Sequence, residues 1–355
     1  QYTRNMATGA STADVAVILV DARHGLTRQT RRHALLVSLL GIHRVALAIN
    51  KMDLVGWSQD KFDAIVSGFQ AFAAPLNFSE VRAIPLSAKN GDNVVLPGTA
   101  ATWYDGVALL RYLEEVPVKS EERAAAFRMP VQWVNRPNSD FRGFSGLIAS
   151  GSVAPGDAVT VAPSGKTSTI ARIFTADGDL ERASEGQSVT LVLADEVDAS
   201  RGAVIATSDA PLTLTDSLDV RLFWAAETDL APGASLWAKV GTQTVNAVVK
   251  AVHRRIDPET GQAGPADKLA VNDIGDVTLT LDRQIAVDPY VENRDTGSLI
   301  LIDRETTDTA ALGLVQTVVA SAKASAPAPT ASETKAQEPA RSGGLLAGIK
   351  RLFGG

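Results

Sequence analysis

Two textures of apolar and polar residues divide the chain. Up to residue 116, short runs that are apolar throughout alternate with longer stretches whose apolar positions recur at helical spacing. Val15-Ala16-Val17-Ile18-Leu19-Val20-Asp21-Ala22, Arg44-Val45-Ala46-Leu47-Ala48-Ile49 and Val81-Arg82-Ala83-Ile84-Pro85-Leu86 lack the alternation of a half-exposed strand and read as buried parallel strands. Between the first two a helix is expected over 28–40, with Leu35, Leu36, Leu39 and Leu40 on its inner face and Gly41 closing it. A second helix comes after Asp53, carried by Phe62, Ile65, Val66, Phe69 and Phe72 at core spacing. A third is expected over 107–116, with Leu109, Leu110 and Leu113 against the sheet. Beyond a charged linker at 117–123 the pattern changes. From Phe127 onward apolar and polar residues alternate, with turns at roughly eight- to twelve-residue intervals, as in β-barrels rather than βαβ units. One strand is expected over 129–134, and strands of a second barrel near 218–224, 234–240, 244–254 and 276–281. After Val319 the composition collapses to Ala, Ser, Pro, Thr, Lys and Glu, which predicts a disordered tail over 320–355. Its last apolar positions, Leu345, Ile349 and Leu352, would share one helical face, as in a docking peptide or a frayed end.

The second apolar run ends abruptly in Asn50-Lys51-Met52-Asp53, and the third runs into Ser87-Ala88-Lys89 one βαβ unit downstream. In an open α/β sheet, ligands bind outside the carboxyl ends of the strands, so both clusters lie where a nucleotide base is read. The residue types suit guanine. Its N1–H and exocyclic amine are adjacent donors, and one carboxylate, Asp53, accepts from both. Adenine presents an acceptor at N1 and would leave Asp53 facing a lone pair. Asn50 would hold N7 or the neighbouring loop, the Lys51 stem would cover the base face, and the Ala88 N–H would reach O6. Asn50-Lys51-Met52-Asp53 with Ser87-Ala88-Lys89 resembles the guanine-specificity pair of the translation-factor GTPases. That resemblance implies GTP as the nucleotide, with Asn50, Lys51, Met52, Asp53, Ser87, Ala88 and Lys89 as the residues that bind it. The implied fold is an α/β P-loop GTPase domain.

Such a domain also needs a phosphate loop of the type Gly-x-x-x-x-Gly-Lys-Ser/Thr, and the 355 residues contain no match. Gly165-Lys166-Thr167 has the required ending. However, Thr160 stands where the first glycine is needed and a strand comes next, so it reads as a hairpin tip with Lys166 in solvent. Residues 1–11 read as a helix already under way, and Gln1-Tyr2-Thr3-Arg4-Asn5-Met6 resembles the segment just after the Asp-x-x-Gly-His motif of translation-factor GTPases. The GTPase domain is therefore expected to be N-terminally incomplete, with the magnesium ligands expected in the missing N-terminal part. His33 and His43 stand on or just after a helix without a second ligand at metal spacing and are read as structural.

A net charge of −6 gives no general pull toward nucleic acid or an anionic membrane. The chain has no cysteine, which excludes disulfides, thiolate metal sites and a cysteine nucleophile, and suits a reducing cytosol. No apolar run reaches membrane-spanning length, and the opening residues lack a signal-peptide layout. A cytoplasmic protein with neither nucleic acid nor membrane as partner is expected.

A narrower resemblance rests on four segments. Asn90-Gly91-Asp92-Asn93-Val94-Val95, Trp103-Tyr104-Asp105-Gly106, Asn272-Asp273-Ile274-Gly275 and the run from Asp288-Pro289-Tyr290-Val291-Glu292-Asn293-Arg294-Asp295-Thr296-Gly297 to Arg304 resemble the GTPase subunit of bacterial sulfate adenylyltransferase. Elongation factor Tu has an Arg-Glu-Gly-Gly-type turn where this last run stands. Gly151-Ser152-Val153-Ala154-Pro155-Gly156-Asp157 resembles the turn of the second domain of translation factors. The resemblance implies the remainder of a GTP-binding α/β domain at 1–120, and after it antiparallel β-barrels at 126–212 and 216–319. It also implies a GTP-hydrolysing regulatory subunit paired with a catalytic small subunit that makes adenylylsulfate from ATP and sulfate. Two other readings stay open: an elongation-factor-like GTPase binding aminoacyl-tRNA, which shares all three domains, and a nucleotide-incompetent binding module.

Overall fold

Three strands, β1 (Val15–Asp21), β2 (Arg44–Asn50) and β3 (Glu80–Pro85), pair in parallel and in sequence order. The computed structural model describes residues 9–10, 13–117, 125–138 and 141–318, so most of the expected opening helix, the 118–124 linker and the 320–355 tail lie outside the described residues. The central strand β2 is buried from Val45 to Ile49 because helices cover both of its faces. On one face, α1 (Arg28–Leu39) contributes Ala34 and Val37, and α2 (Gln59–Ala73) contributes Phe62, Ile65 and Phe69. On the other, Tyr112 of α3 (Leu109–Glu115) packs over Ala46, Ala48, Ile84 and Leu86. Side-chain caps start the two longer helices: Thr27 accepts from the Thr30 N–H at 3.2 Å, and Ser58 from the Lys61 N–H at 3.4 Å. Gly41, at φ +72°, lets the Ile42 N–H return to the Val37 carbonyl at 3.1 Å and ends α1.

Three expectations need correction. Helix α3 turns Ala108, Tyr112 and Val116 to the sheet, while Leu110 and Leu113 are 41% and 39% exposed. The Leu109 and Leu110 N–H groups donate to the Asn93 and Val94 carbonyls, both at 2.9 Å, and these bonds fix the rotation of the helix. Strand β1 is buried on one face only. Its Val17 and Leu19 are 44% and 61% exposed, because β1 is an edge strand of the described sheet and α3 lies over β2 and β3. Finally, the leucines of α1 face a barrel instead of the sheet: Leu35, Leu36 and Leu40 pack against Phe223, Ile256, Ile274 and Leu314.

The first barrel closes through one bent stretch. Arg128–Pro130 pairs with Val204–Thr207, and Trp133–Asn135 pairs with Gly143–Leu147. At the bend, the Val131 N–H donates to Ala203 and the Gln132 N–H to Ser145, so consecutive residues bond to different strands and the expected single strand is split. Ala158–Ala162, Lys166–Thr175 and Ser188–Leu193 complete the circuit around Phe127, Met129, Val131 and Phe144. Gly165 and Lys166 form the hairpin tip expected of them, with Lys166 exposed. The second barrel has six strands: Thr213–Trp224, Ser235–Val240, Gln243–Ile256, Ile274–Val287, Ser298–Ile302 and Thr309–Val318. Ser235–Val240 pairs with both Gln243–Ile256 and Ser298–Ile302 and so closes the ring. Alternate residues such as Leu218, Val220 and Leu222 fill its interior.

The described residues belong to one compact unit, and the run after Asp288 joins its parts. Buried Asp288 takes the Arg128 guanidinium of the first barrel at 3.0 and 3.3 Å and the Thr296 hydroxyl at 2.6 Å. Asn293 donates to the Ser150 hydroxyl at 2.8 Å. Toward the sheet domain, the Tyr290 hydroxyl donates to the Leu40 carbonyl at 3.0 Å, and Arg294 donates to the Gly41 carbonyl and to the Ala13 carbonyl. At the far end of α1, Arg28 pairs with Glu259. Gly297 is required here, since a Cβ would come within 2.6 Å of the Tyr290 backbone.

Candidate functional site

The carboxyl ends of β1 and β2 are level, with Asp21 opposite Asn50 and the Ala22 N–H on the Asn50 carbonyl at 2.8 Å. Beyond Asn50 the chain reverses through Lys51, whose φ of 65° is left-handed, into a 3₁₀ turn at Met52–Val55. Met52 is fully buried beneath this turn, and its N–H donates to the Leu86 carbonyl at 3.2 Å. The two clusters read from the sequence therefore meet. Asn50 is the link: its Oδ1 accepts from the Lys51 N–H at 2.7 Å and from the Ala88 N–H at 2.9 Å. Of the two roles expected for Asn50, this geometry is that of holding the neighbouring loop. The Ala88 N–H, expected at O6 of the base, is directed at Asn50.

The Asp53 carboxylate is half-buried and accepts no hydrogen bond from the described residues. It is a carboxylate held in the first turn after a strand end, with no donor among the described residues on its oxygens. Ser87 is fully buried; its N–H donates to the Asp92 carbonyl at 3.1 Å and its Oγ accepts from the Asn90 N–H at 3.4 Å, while Ala88 and Lys89 are exposed. Behind this loop, buried Asn93 donates from Nδ2 to the Pro85 carbonyl and accepts the Gly98 N–H at Oδ1, both at 2.7 Å. Trp103 donates from Nε1 to the Trp57 carbonyl at 2.8 Å, and its ring packs at a 50° tilt on that of Phe62, with centroids 5.1 Å apart. The segments around Asn93 and Trp103 thus brace the two loops from behind.

One residue of this site was not singled out from the sequence. Asp21 places Oδ2 2.8 Å from the Lys51 Nζ and also holds Arg23 through its backbone N–H, Nε and Nη2 at 3.0, 3.0 and 2.7 Å. The Arg23 guanidinium foremost holds the Asp21 carboxyl well below the usual carboxylate range; burial opposes it, and the Lys51 ammonium adds to the lowering. The signal available was an acid at one strand end level with an amide at the next. His33 is half-buried, and desolvation pushes its imidazole below the usual value; His43 places Nδ1 2.6 Å from the Asn77 carbonyl. Both have structural surroundings. Among the described residues no group of three or more His, Asp or Glu side chains is arranged to hold a metal ion. No described helix is long and apolar enough to cross a membrane.

Residues 1–118 match the elongation factor Tu GTP binding domain family, and residues 217–316 match the GTP-eEF1A C-terminal domain-like family. The chain is 98% identical over its whole length to sulfate adenylyltransferase subunit 1 of Methylorubrum populi, covering 76% of that protein. It is 94% identical to the same subunit of Methylorubrum extorquens over the same shares, and 48% identical to that of Laribacter hongkongensis over 91% of this chain and 67% of the relative. Among solved structures, sup35 complexed with GMPPNP is similar at a TM-score of 0.53 and 23% identity, covering 88% of this chain and 80% of that one. This last likeness is one of fold.

Proposed function

The chain belongs to the sulfate adenylyltransferase subunit 1 family, within the elongation-factor-Tu-like GTPases, and from that membership we propose that it binds GTP through Asn50–Asp53 and Ser87–Lys89 and couples GTP hydrolysis to adenylylsulfate synthesis. ATP and sulfate react on a separate catalytic small subunit, in the cytoplasm. Sulfate is a weak nucleophile and its adenylylation with release of pyrophosphate is uphill, so GTP hydrolysis drawn into the cycle supplies the missing driving force. Magnesium, when bound, would neutralise charge on the nucleotide phosphates. The described residues act at the base. Asp53 accepts from guanine N1–H and the exocyclic amine, Lys51 lies along the base face, and Asn50 holds the Ala88 loop at its edge.

The observation that carries this reading is the Asn50 bridge: one side chain joins the two loops, and the carboxylate beside it is left open. The test is the base preference of Asp53→Asn, read as competition between GDP and XDP for a protein in which the phosphate loop is present. Xanthine has an acceptor where guanine has its amine, so the variant should lose GDP affinity by about 2–4 kcal/mol and gain preference for XDP. Unchanged preference would remove Asp53 from the site. Coupling is tested separately, by measuring adenylylsulfate formation with the catalytic subunit in the presence and absence of GTP; a rate indifferent to GTP would overturn it.

A further inference from the structure

Asp21 has no part in reading the base, yet it sits at the centre of the charged groups at this strand end. Lys51 is committed to a left-handed backbone by the turn it occupies, so its side chain leaves β2 in a direction set by the fold. A lysine stem is flexible, and the Lys51 side chain is 45% exposed here; without a partner it would sample many positions. Asp21 supplies that partner from the neighbouring strand. Its backbone is held by the level pairing with Asn50, and its carboxylate is oriented by the three Arg23 donors. One Asp21 oxygen, Oδ2, then receives the Lys51 Nζ at 2.8 Å; His24 Nδ1 stands further off, at 3.5 Å from the same oxygen.

We propose that Asp21 is a positioning residue for nucleotide binding: it fixes the Lys51 side chain along the face where the base lies, acting through Lys51 and not on the nucleotide. This rests on the base-site reading given above. It assigns different work to two carboxylates. Asp53 decides which base is accepted, whereas Asp21 decides how much of the Lys51 side chain is already in place when any base arrives. Ordering a long side chain beforehand removes part of the entropy cost of binding, and it does so equally for guanine and xanthine.

The test is a double-mutant cycle in a protein in which the phosphate loop is present, with affinities for labelled GDP and XDP measured for Asp21→Asn, Lys51→Ala, the pair together, and Arg23→Ala. Asp21→Asn should weaken both nucleotides by about fivefold, the scale of a partly exposed ion pair, and leave their ratio unchanged. Added to Lys51→Ala it should do nothing further, since its target is gone. Arg23→Ala removes two of the three donors but keeps the backbone N–H, so it should weaken both nucleotides in the same sense and by no more than Asp21→Asn does. The proposal is overturned if Asp21→Asn has no effect or if its loss persists in the Lys51→Ala background. Should Asp21→Asn fail to fold, Lys51→Gln probes the same contact from the more exposed side, and unchanged affinity there overturns it as well. A GDP-to-XDP ratio unmoved by Asp53→Asn overturns the base-site reading and this inference with it. A ratio that moves while Asp21→Asn changes nothing overturns this inference alone.

Discussion

Asn50 holds two backbone N–H groups from separate loops, those of Lys51 and Ala88. Replacing it by alanine removes the acceptor from both and leaves the Ser87–Lys89 loop, among the described residues, with the bonds of its own turn, from Ser87 to Asn90, Gly91 and Asp92. Asn50→Ala should therefore cost about 1–3 kcal/mol in denaturant unfolding and speed amide exchange at Ala88. An equal exchange rate in the two proteins would mean that the loop is held by something else. The same residue shows how far this site was legible. The motif spacing drew attention to Asn50 and Asp53, because the carboxyl end of an apolar run is a binding edge. It left open whether Asn50 meets the base or the loop, since that depends on where Ala88 comes to rest. Asp21 was hidden for a related reason: its meaning lies in the parallel register with Asn50, which no local pattern displays.

Helix α1 has two apolar stripes, and the sequence shows their spacing without showing what each one meets. Ala34 and Val37 are small enough to lie close on the sheet, while the bulkier Leu35, Leu36 and Leu40 reach the second barrel. Leu36 is 1% exposed, so Leu36→Ala should destabilise by about 2–5 kcal/mol in chemical denaturation, with both the helix and the barrel surface losing contacts. A loss well below this range would indicate that the interface collapses to fill the gap. Helix α3 shows the converse limit. Its three leucines suggested an inward face; Leu109 does pack on the sheet, but backbone bonds to the Asn93 and Val94 carbonyls turn the helix so that Tyr112 is buried and Leu110 and Leu113 are not. Rotation about a helix axis is set by the residues before the first turn, and a short helix offers too few apolar positions to betray it.

Across the whole molecule, the run from Asp288 to Gly297 drew notice as a family resemblance, and its physical role emerged only with the fold. It spans sequence-distant partners in both other parts of the structure, which a linear pattern cannot announce. Arg128 and Asp288 are both nearly fully buried, and truncating one strands the other's charge. Asp288→Ala should cost about 3–5 kcal/mol by thermal or chemical unfolding, and the apolar pair Arg128→Met with Asp288→Leu should cost distinctly less. Equal losses from the two would mean that Arg128 is satisfied by the Ala210 and Phe127 carbonyls alone. The end of α1 carries a further consequence. A helix normally completes its last turn with its own neighbours, but here the Leu40 and Gly41 carbonyls are met by Tyr290 and Arg294 from the barrel. A recombination joint placed at 118–124 would therefore divide the polypeptide without dividing what melts together. The grafted sheet domain would arrive with one helix unfinished, and a foreign barrel would have to bring a phenol and a guanidinium to the same two oxygens before the chimera could be as stable as its parents.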